Sequence, residues 1–284
     1  MAVDIRTVGI VGSGIMACGL AEVVARAGYD VLVASRSQAS AEGVRRTIDN
    51  GFATAIERGK STADEREEVL ARISATEGFG ALGACDLVVE SVIEDITVKL
   101  TLFAELDRAT KPSAILATNT STLPVIDLAL ATSRPEQVCG IHFFNPATLM
   151  KLVEVVRPLT ACDETITTAL AFVSSCGKEP VEVRDHAGFI VNALLFPYLN
   201  NAVRMLERGT ASIESIDAAM KGGCNFPMGP FALLDLVGLD TSVAILETIH
   251  ASFGNPCDAP AQTLCGLVAA GHLGRKTKQG FYTY

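Results

Sequence analysis

A glycine-rich turn near the N-terminus, Gly12-Ser-Gly-Ile-Met-Ala17, follows a short apolar and β-branched run from Thr7 to Val11. That run predicts a strand, and the periodicity of Met16 to Ala27 predicts a helix that starts inside the turn. A second predicted strand, Tyr29 to Ala34, completes a βαβ unit of about 30 residues. Glycines here permit a tight turn and let phosphates approach the helix N-terminus. The segment predicts a parallel α/β sheet with a dinucleotide at its edge; the alternative is a turn that needs glycine geometry only for folding.

Strand and helix patterns alternate along the first two thirds of the chain. Further buried strands are predicted over Leu87 to Glu90, Ala114 to Thr118 and Val138 to Phe143, and helices over Gly43 to Arg58 and Thr62 to Ile73. After about Pro180 the periodicity is helical, over Ile190 to Arg208, Ser212 to Met220, Pro230 to Phe253 and Pro260 to Gly271, with no convincing strand. This pattern predicts an α/β protein, in which a mostly parallel, doubly wound sheet (residues 1–185) is followed by an all-helical domain (residues 186–284).

Composition limits the partners of the chain. A net charge of −9 argues against nucleic acid and against an anionic membrane surface. No apolar run reaches the roughly 20 residues that span a bilayer, and no secretory signal pattern opens the sequence. The eight cysteines are scattered without a Cys-x-x-Cys pair, which indicates neither a disulfide framework nor a metal site. We expect a cytoplasmic protein without a bound metal.

The end of the second predicted strand carries Ser35-Arg36-Ser37, about 20 residues after the glycine turn. A carboxylate at this point favours NAD(H), because it accepts hydrogen bonds from the adenosine ribose and repels a 2′-phosphate. A hydroxyl and a guanidinium instead suit that phosphate through charge-assisted hydrogen bonds. The triplet therefore favours NADP(H), with NAD(H) possible if Arg36 points to solvent.

A histidine and an acid stand where catalysis is plausible. His142 ends an apolar strand and is followed by two phenylalanines, at the carboxyl edge where ligands bind in parallel sheets. Glu154 lies in the middle of another apolar run, and a buried acid is costly without a partner. His142 is one candidate partner, and the pair would then make a general acid/base. The alternative is a salt bridge from Glu154 to Arg157 or Lys151.

Two small polar residues are further candidates. Ser121, in Asn119-Thr-Ser-Thr, follows the predicted strand that ends at Thr118, again at the carboxyl edge. Its alternative role is in a capping and turn cluster. Asn192 opens the first helix of the second domain, where a capping or interhelical hydrogen bond is the alternative to a catalytic role.

Motifs along nearly the whole chain resemble the 3-hydroxyacyl-CoA dehydrogenase family, in particular the short bacterial 3-hydroxybutyryl-CoA dehydrogenases. Besides the N-terminal turn, they are Val89-Glu-Ser-Val-Ile-Glu94 with Lys99, Asn119-Thr-Ser-Thr, His142-Phe-Phe-Asn-Pro, Lys151-Leu-Val-Glu, Ala187-Gly-Phe-Ile-Val-Asn192, Pro227-Met-Gly-Pro230 and Gly274-Arg-Lys-Thr-Lys-Gln-Gly-Phe-Tyr282. The resemblance implies a Rossmann-type domain followed by a helical domain that forms a homodimer. It implies an oxidoreductase that interconverts 3-hydroxyacyl and 3-oxoacyl thioesters by hydride transfer.

The resemblance also implies roles for individual residues. The catalytic residues would be His142, Glu154, Ser121 and Asn192, with Ser121 orienting the substrate. Among cofactor contacts, the resemblance implies Glu94, Lys99 and Lys276. Together with the residues at the glycine turn and at the ends of the strands, the predicted cofactor contacts are Gly12, Gly14, Ile15, Met16, Ser35, Arg36, Glu94, Lys99, Asn119 and Lys276. In reduction, hydride adds to C3 of the thioester while protonated His142 donates a proton to the developing alkoxide and Glu154 stabilises the imidazolium.

Two departures from the family pattern bear on its ligands. The ribose-binding acid of the family is Ser35 here, so its NAD preference does not carry over. The helix that contacts CoA usually carries lysines, and here Thr54 stands at one of those positions and Arg58, a candidate substrate-binding residue, at another. This leaves room for an acyl group carried on an acyl carrier protein. A non-catalytic nucleotide-binding relative and a dehydrogenase of free β-hydroxyacids are further alternatives, and the paired His142 and Glu154 argue against both.

Overall fold

The computed structural model describes residues 4–284, which divide into two compact units at Asp185 and His186. In the first unit, eight strands form one sheet: β1 (Thr7–Val11), β2 (Asp30–Ser35), β3 (Ile73–Glu77), β4 (Leu87–Glu90), β5 (Ile115–Thr118), β6 (Val138–Phe143), β7 (Leu152–Arg157) and β8 (Glu179–Arg184). Their order is β3-β2-β1-β4-β5-β6-β7-β8. Every neighbouring pair is parallel except β6 and β7.

Helices connect these strands. They are α1 (Ile15–Arg26), α2 (Gln38–Glu57), α3 (Ala63–Ala71), α4 (Ile96–Ala109), α5 (Val125–Leu130) and α6 (Asp163–Ser175). The core of the unit is built from the apolar residues of β1, β2 and β4, such as Val8, Val33 and Val89, which pack with the buried faces of α1, α2 and α6. The strand order reverses between β1 and β4, and such a reversal opens a crevice at the carboxyl edge of a doubly wound sheet.

The second unit is helical. It contains α7 (Val191–Glu207), α8 (Ile213–Cys224), α9 (Pro230–Val237), α10 (Leu239–Phe253) and α11 (Gln262–Ala269), around a core that includes Leu199, Phe231 and Leu246. The predicted fold class, a mostly parallel doubly wound sheet followed by a helical domain, is confirmed. Within the described residues, no helix is both long and apolar enough to cross a membrane.

The local predictions were wrong in three places. Two edge strands were not predicted: β3, half polar in sequence, and β8, which begins Glu-Pro and has no buried residue. An edge strand has one unpaired side and often little apolar burial, so its pattern is weak. The helix predicted over Pro230 to Phe253 is two helices, because Gly238 adopts a φ of 107° between α9 and α10.

Two buried carboxylates fasten the final segment of the chain within the second unit. Asp235 of α9 accepts hydrogen bonds from the backbone N–H of Phe281 (2.8 Å) and Tyr282 (2.8 Å) and from the Tyr284 hydroxyl (3.1 Å). Asp217 of α8 accepts one from the Tyr282 hydroxyl at 3.0 Å and two from the backbone N–H groups of Phe231 and Ala232. Each carboxylate thus satisfies several donors at once, and the segment depends on them for its position.

We expect Asp235→Ala to lower the free energy of unfolding by about 3 kcal/mol or more, because several donors lose their acceptor together. Urea unfolding followed by circular dichroism measures the change. Glu247→Ala, at an exposed acid on α10, is the matched control and should stay within about 0.5 kcal/mol of the parent. An Asp235→Ala variant as stable as this control would contradict the role given to the carboxylate.

Candidate active site

The antiparallel pairing of β6 with β7 places His142 directly opposite Glu154. Both side chains are buried, with His142 3% and Glu154 0% exposed. The imidazole Nδ1 lies 2.8 Å from the Glu154 Oε2. Because a carboxylate only accepts hydrogen bonds, the network assigns the proton to Nδ1. The acid predicted to need a partner thus has His142, while Arg157 bonds Glu182 and Asp163.

The other ring nitrogen of His142 faces Ser121. Its Nε2 lies 3.1 Å from the Ser121 Oγ, in the segment that follows β5. Strands β5 and β6 are parallel neighbours, with Thr118 opposite Gly140, so the residues beyond their carboxyl ends meet. With Nδ1 protonated, the neutral ring accepts a hydrogen bond from the Ser121 hydroxyl at Nε2, whereas the imidazolium donates a hydrogen bond from Nε2 to the Ser121 oxygen. Nε2 is therefore the atom at which this site can give or take a proton.

Neighbouring side chains hold these groups in place. The Phe144 ring lies 4.5 Å from the His142 ring, centroid to centroid. Asn119 accepts a hydrogen bond from the Phe143 backbone N–H at 2.8 Å, which ties the end of β5 to the end of β6. Asn119 thus has a structural contact, and its contact with a cofactor stays a prediction.

A buried ion pair lies near the same carboxyl edge of the sheet. The Lys99 ammonium, 1% exposed, lies 2.6 Å from the carboxylate of Glu90, the last residue of β4. The Glu94 carboxylate, 39% exposed, lies 3.5 Å from the same ammonium. No role was predicted for Glu90, although it lies in the motif Val89-Glu-Ser-Val-Ile-Glu94. A charged residue that ends a run of apolar strand residues is the signal that could have found it.

The glycine turn has room for a phosphate group. Gly12 has a φ of 135°, and a Cβ there would overlap the backbone oxygen of Ser91. Gly14 is the N-cap of α1 and has open space where its side chain would be. Ile15 is 79% exposed, and the first turn of α1, which includes Met16, contains no acid that would repel an anion. The residues present therefore fit the diphosphate of a dinucleotide, which the N–H groups of the helix N-terminus would hold.

A cavity of about 410 Å³ lies beside this turn, between α1, α2 and the segment from Asn145 to Thr148. Cys18 lines it, and burial raises the pKa of this thiol, so it is neutral at pH 7. The cavity wall thus adds no thiolate charge next to the candidate phosphate position.

The end of β2 carries the residues predicted to choose between the cofactors. Ser35 is buried, and its hydroxyl donates to the Ser37 backbone oxygen at 3.1 Å, whereas Arg36 is exposed. Strand β3 places Glu77 opposite Ser35, and the Glu77 carboxylate lies 3.3 Å from the backbone nitrogen of Gln38, at the start of α2. Glu77 was not among the predicted site residues, because β3 was not predicted.

Three further predicted residues lie on helix α2 and in the second unit. Arg58 is exposed at the C-terminal end of α2. In the second unit, Asn192 is buried near the start of α7, and the Lys276 ammonium bonds both oxygens of Asp240, at 2.5 and 2.6 Å. The assigned roles of these residues stay predictions. Among residues 4–284, no group of three or more His, Cys, Asp or Glu side chains could hold a metal ion.

Two family models together match nearly the whole chain. Residues 7–186 match the NAD binding domain of 3-hydroxyacyl-CoA dehydrogenase, and residues 188–284 match its C-terminal domain. The chain is 43% identical to a 3-hydroxybutyryl-CoA dehydrogenase of Mycobacterium tuberculosis over 286 residues, with all of both chains covered. It is 40% identical to one of Bradyrhizobium diazoefficiens, covering 100% of this chain and 97% of the relative.

A solved structure agrees with these sequence matches. The crystal structure of (S)-3-hydroxybutyryl-CoA dehydrogenase from Ralstonia eutropha superposes with a TM-score of 0.96 at 39% identity, over 99% of each chain. The predicted resemblance is confirmed, including a dehydrogenase domain of the NAD-binding type. The chain belongs to the 3-hydroxyacyl-CoA dehydrogenase family.

Proposed function

We propose that this chain interconverts 3-hydroxyacyl and 3-oxoacyl thioesters of the 3-hydroxybutyryl-CoA type by hydride transfer with a nicotinamide cofactor. The observation that carries the proposal is the chain of contacts from Glu154 to His142 to Ser121, with distances of 2.8 and 3.1 Å. These contacts support the role of His142 as a general acid/base that transfers one proton at Nε2. The names of the similar proteins support the substrate class.

The protein residues handle the proton and the position of the substrate. A bound nicotinamide cofactor would supply the hydride in reduction and accept it in oxidation. In reduction, the imidazolium of His142 gives its Nε2 proton to the oxygen on C3 as negative charge develops there. Glu154, which is hydrogen-bonded to Nδ1, stabilises the imidazolium. Oxidation follows the same path backward, with Nε2 as the base. Ser121 would hydrogen-bond the same oxygen, and Asn192 is retained as a proposed catalytic residue.

For the cofactor, we propose a preference for NADP(H) within this NAD-binding family, with NAD(H) still used. A 2′-phosphate carries close to two negative charges, and Ser35 lacks the carboxylate that would repel it. The exposed guanidinium of Arg36 is available to pair with that phosphate. Glu77 disfavours NADP(H), because its carboxylate lies beside the first amide of α2 and would repel a 2′-phosphate there. The proposal is that Arg36 outweighs this acid, because the fork of a guanidinium fits a phosphate directly.

For the carrier, we propose coenzyme A, with an acyl carrier protein as the alternative. A cavity of about 730 Å³ between α1, α2 and the end of α6 has Arg26, Lys60 and Lys178 in its wall, together with Glu22, which pairs with Arg26. Arg58 is exposed two residues before Lys60. These cations support an anionic arm such as CoA or phosphopantetheine. Comparing kcat/KM for acetoacetyl-CoA with that for the same acyl group on a carrier protein separates the two, and a clear preference for the carrier protein would overturn the CoA assignment.

We further propose a homodimer formed through the second unit, in the cytoplasm. Exposed apolar side chains of that unit, among them Leu194, Leu236 and Phe253, support the dimer. Light scattering should give about twice the chain mass of 29.9 kDa at micromolar concentration. A mass near that of one chain would contradict this part of the proposal.

We expect His142→Gln to lower kcat for acetoacetyl-CoA reduction by about 10²–10⁴-fold, the usual contribution of a general acid/base. Folding and cofactor affinity should be retained. His272→Gln, in the second unit, is the matched control and should turn over at the parent rate. Near-normal turnover in a folded His142→Gln variant would refute the assignment and, with it, the proposed mechanism.

We expect kcat/KM to be at least about tenfold higher with NADPH than with NADH, because one charge-assisted contact is worth roughly 1.5–3 kcal/mol. Arg36→Ala should remove most of this preference, mainly through the KM for NADPH. Glu77→Gln should raise it further by removing a repulsion. Arg108→Ala, which removes an exposed positive charge on α4, is the control and should leave the ratio unchanged. A higher kcat/KM with NADH in the parent protein would contradict the preference.

A further inference from the structure

Residue Glu94 accepts hydrogen bonds from the segment that carries Ser121. Its Oε1 lies 2.5 Å from the Thr120 hydroxyl, 2.8 Å from the Ser121 backbone nitrogen and 3.3 Å from the Thr122 backbone nitrogen. One carboxylate oxygen therefore gathers three donors from consecutive residues. Hydrogen bonds to a charged acceptor are the stronger ones, so this oxygen restricts where the Ser121 backbone can lie.

The other oxygen of Glu94 faces the buried ammonium of Lys99, 3.5 Å away. Lys99 is fixed in turn by Glu90, which also accepts hydrogen bonds from the Val92 backbone N–H (2.6 Å) and the Thr118 hydroxyl (2.7 Å). A buried polar network in which every group has a partner is rigid. Lys99 thus connects Glu94, through Glu90, to the ends of β4 and β5.

Through Ser121, these contacts extend to His142, the candidate proton donor. The Ser121 hydroxyl lies 3.1 Å from the His142 Nε2, so a shift of the Ser121 backbone changes this contact directly. A misplacement of about 1 Å at a reacting group can cost about 10²-fold in rate. The series of contacts from Lys99 through Glu94 to Ser121 can therefore affect the rate of the chemical step.

We propose that Glu94 is a positioning residue, which holds the Ser121 hydroxyl in register with His142 and is itself held by Lys99. The inference rests on the proposed function, since it needs Ser121 to act on the substrate. It differs from the cofactor contact that the family resemblance implies for Glu94. A positioning residue changes kcat through Ser121, whereas a cofactor contact changes the affinity for the cofactor regardless of Ser121.

The first measurement compares two substitutions at Glu94. Glu94→Ala removes the shared acceptor and should lower kcat by about 10–100-fold, with the KM for acetoacetyl-CoA and the fluorescence-measured Kd of NADPH within about threefold of the parent. Glu94→Gln keeps one acceptor oxygen and should restore most of kcat. The matched control is Glu105→Ala, an exposed acid on α4, which should leave every constant unchanged. If Glu94→Ala does not fold, as judged by thermal melting, Glu94→Asp replaces it, because it shortens the tether without removing the charge.

The second measurement combines Glu94→Ala with Ser121→Ala. The double variant should turn over within about threefold of Ser121→Ala alone, because the effect of Glu94 disappears when its target hydroxyl is gone. A full additional loss in the Ser121→Ala background, or a loss confined to the Kd of NADPH, would overturn the positioning role. If Ser121→Ala alone left kcat unchanged, the proposed function of the site would fail instead, so the two failures are distinguishable.

Discussion

The buried hydrogen bond between Glu154 and His142 is the interaction on which the rest of the site depends. A carboxylate that is 0% exposed must have a donor, and the antiparallel register of β6 and β7 supplies the imidazole directly opposite. Among the described strands, this is the one antiparallel pairing in the sheet. The bond decides which ring nitrogen carries a proton, and so it aims Nε2 at Ser121. The pairing of two neighbouring strands thus fixes the relative position of the two residues.

The acids near the carboxyl edge of the sheet have different roles. Glu90 and Lys99 neutralise each other in the interior, where an unpaired charge would be destabilising. Glu94, partly exposed, orders the segment after β5. Near the glycine turn, the first turn of α1 carries no acid, which suits the diphosphate of a dinucleotide. The same edge therefore holds a buried, paired charge and, at the first turn of α1, backbone without an acid, which suits an anionic ligand.

Much of this arrangement could be predicted from the amino-acid sequence. The βαβ unit was predictable because its strands are short apolar runs around a glycine turn, and the His142–Glu154 pair because a mid-strand acid needs a partner. The edge strands β3 and β8 were not, since exposed strands carry little hydrophobic pattern, and Glu77 was missed with β3. The bonds from Glu94 to the Ser121 segment depend on which strands are neighbours, and no local pattern in the sequence encodes that.

The measurement that tests the central claim most directly is a double-mutant cycle on kcat with His142→Gln and Glu154→Gln. If Glu154 acts through His142, Glu154→Gln alone should be costly, yet it should add little to the loss already caused by His142→Gln. The account predicts that the double variant is within about threefold of His142→Gln. Independent losses that multiply in the double variant would contradict it and would leave Glu154 as a structural acid with some other partner.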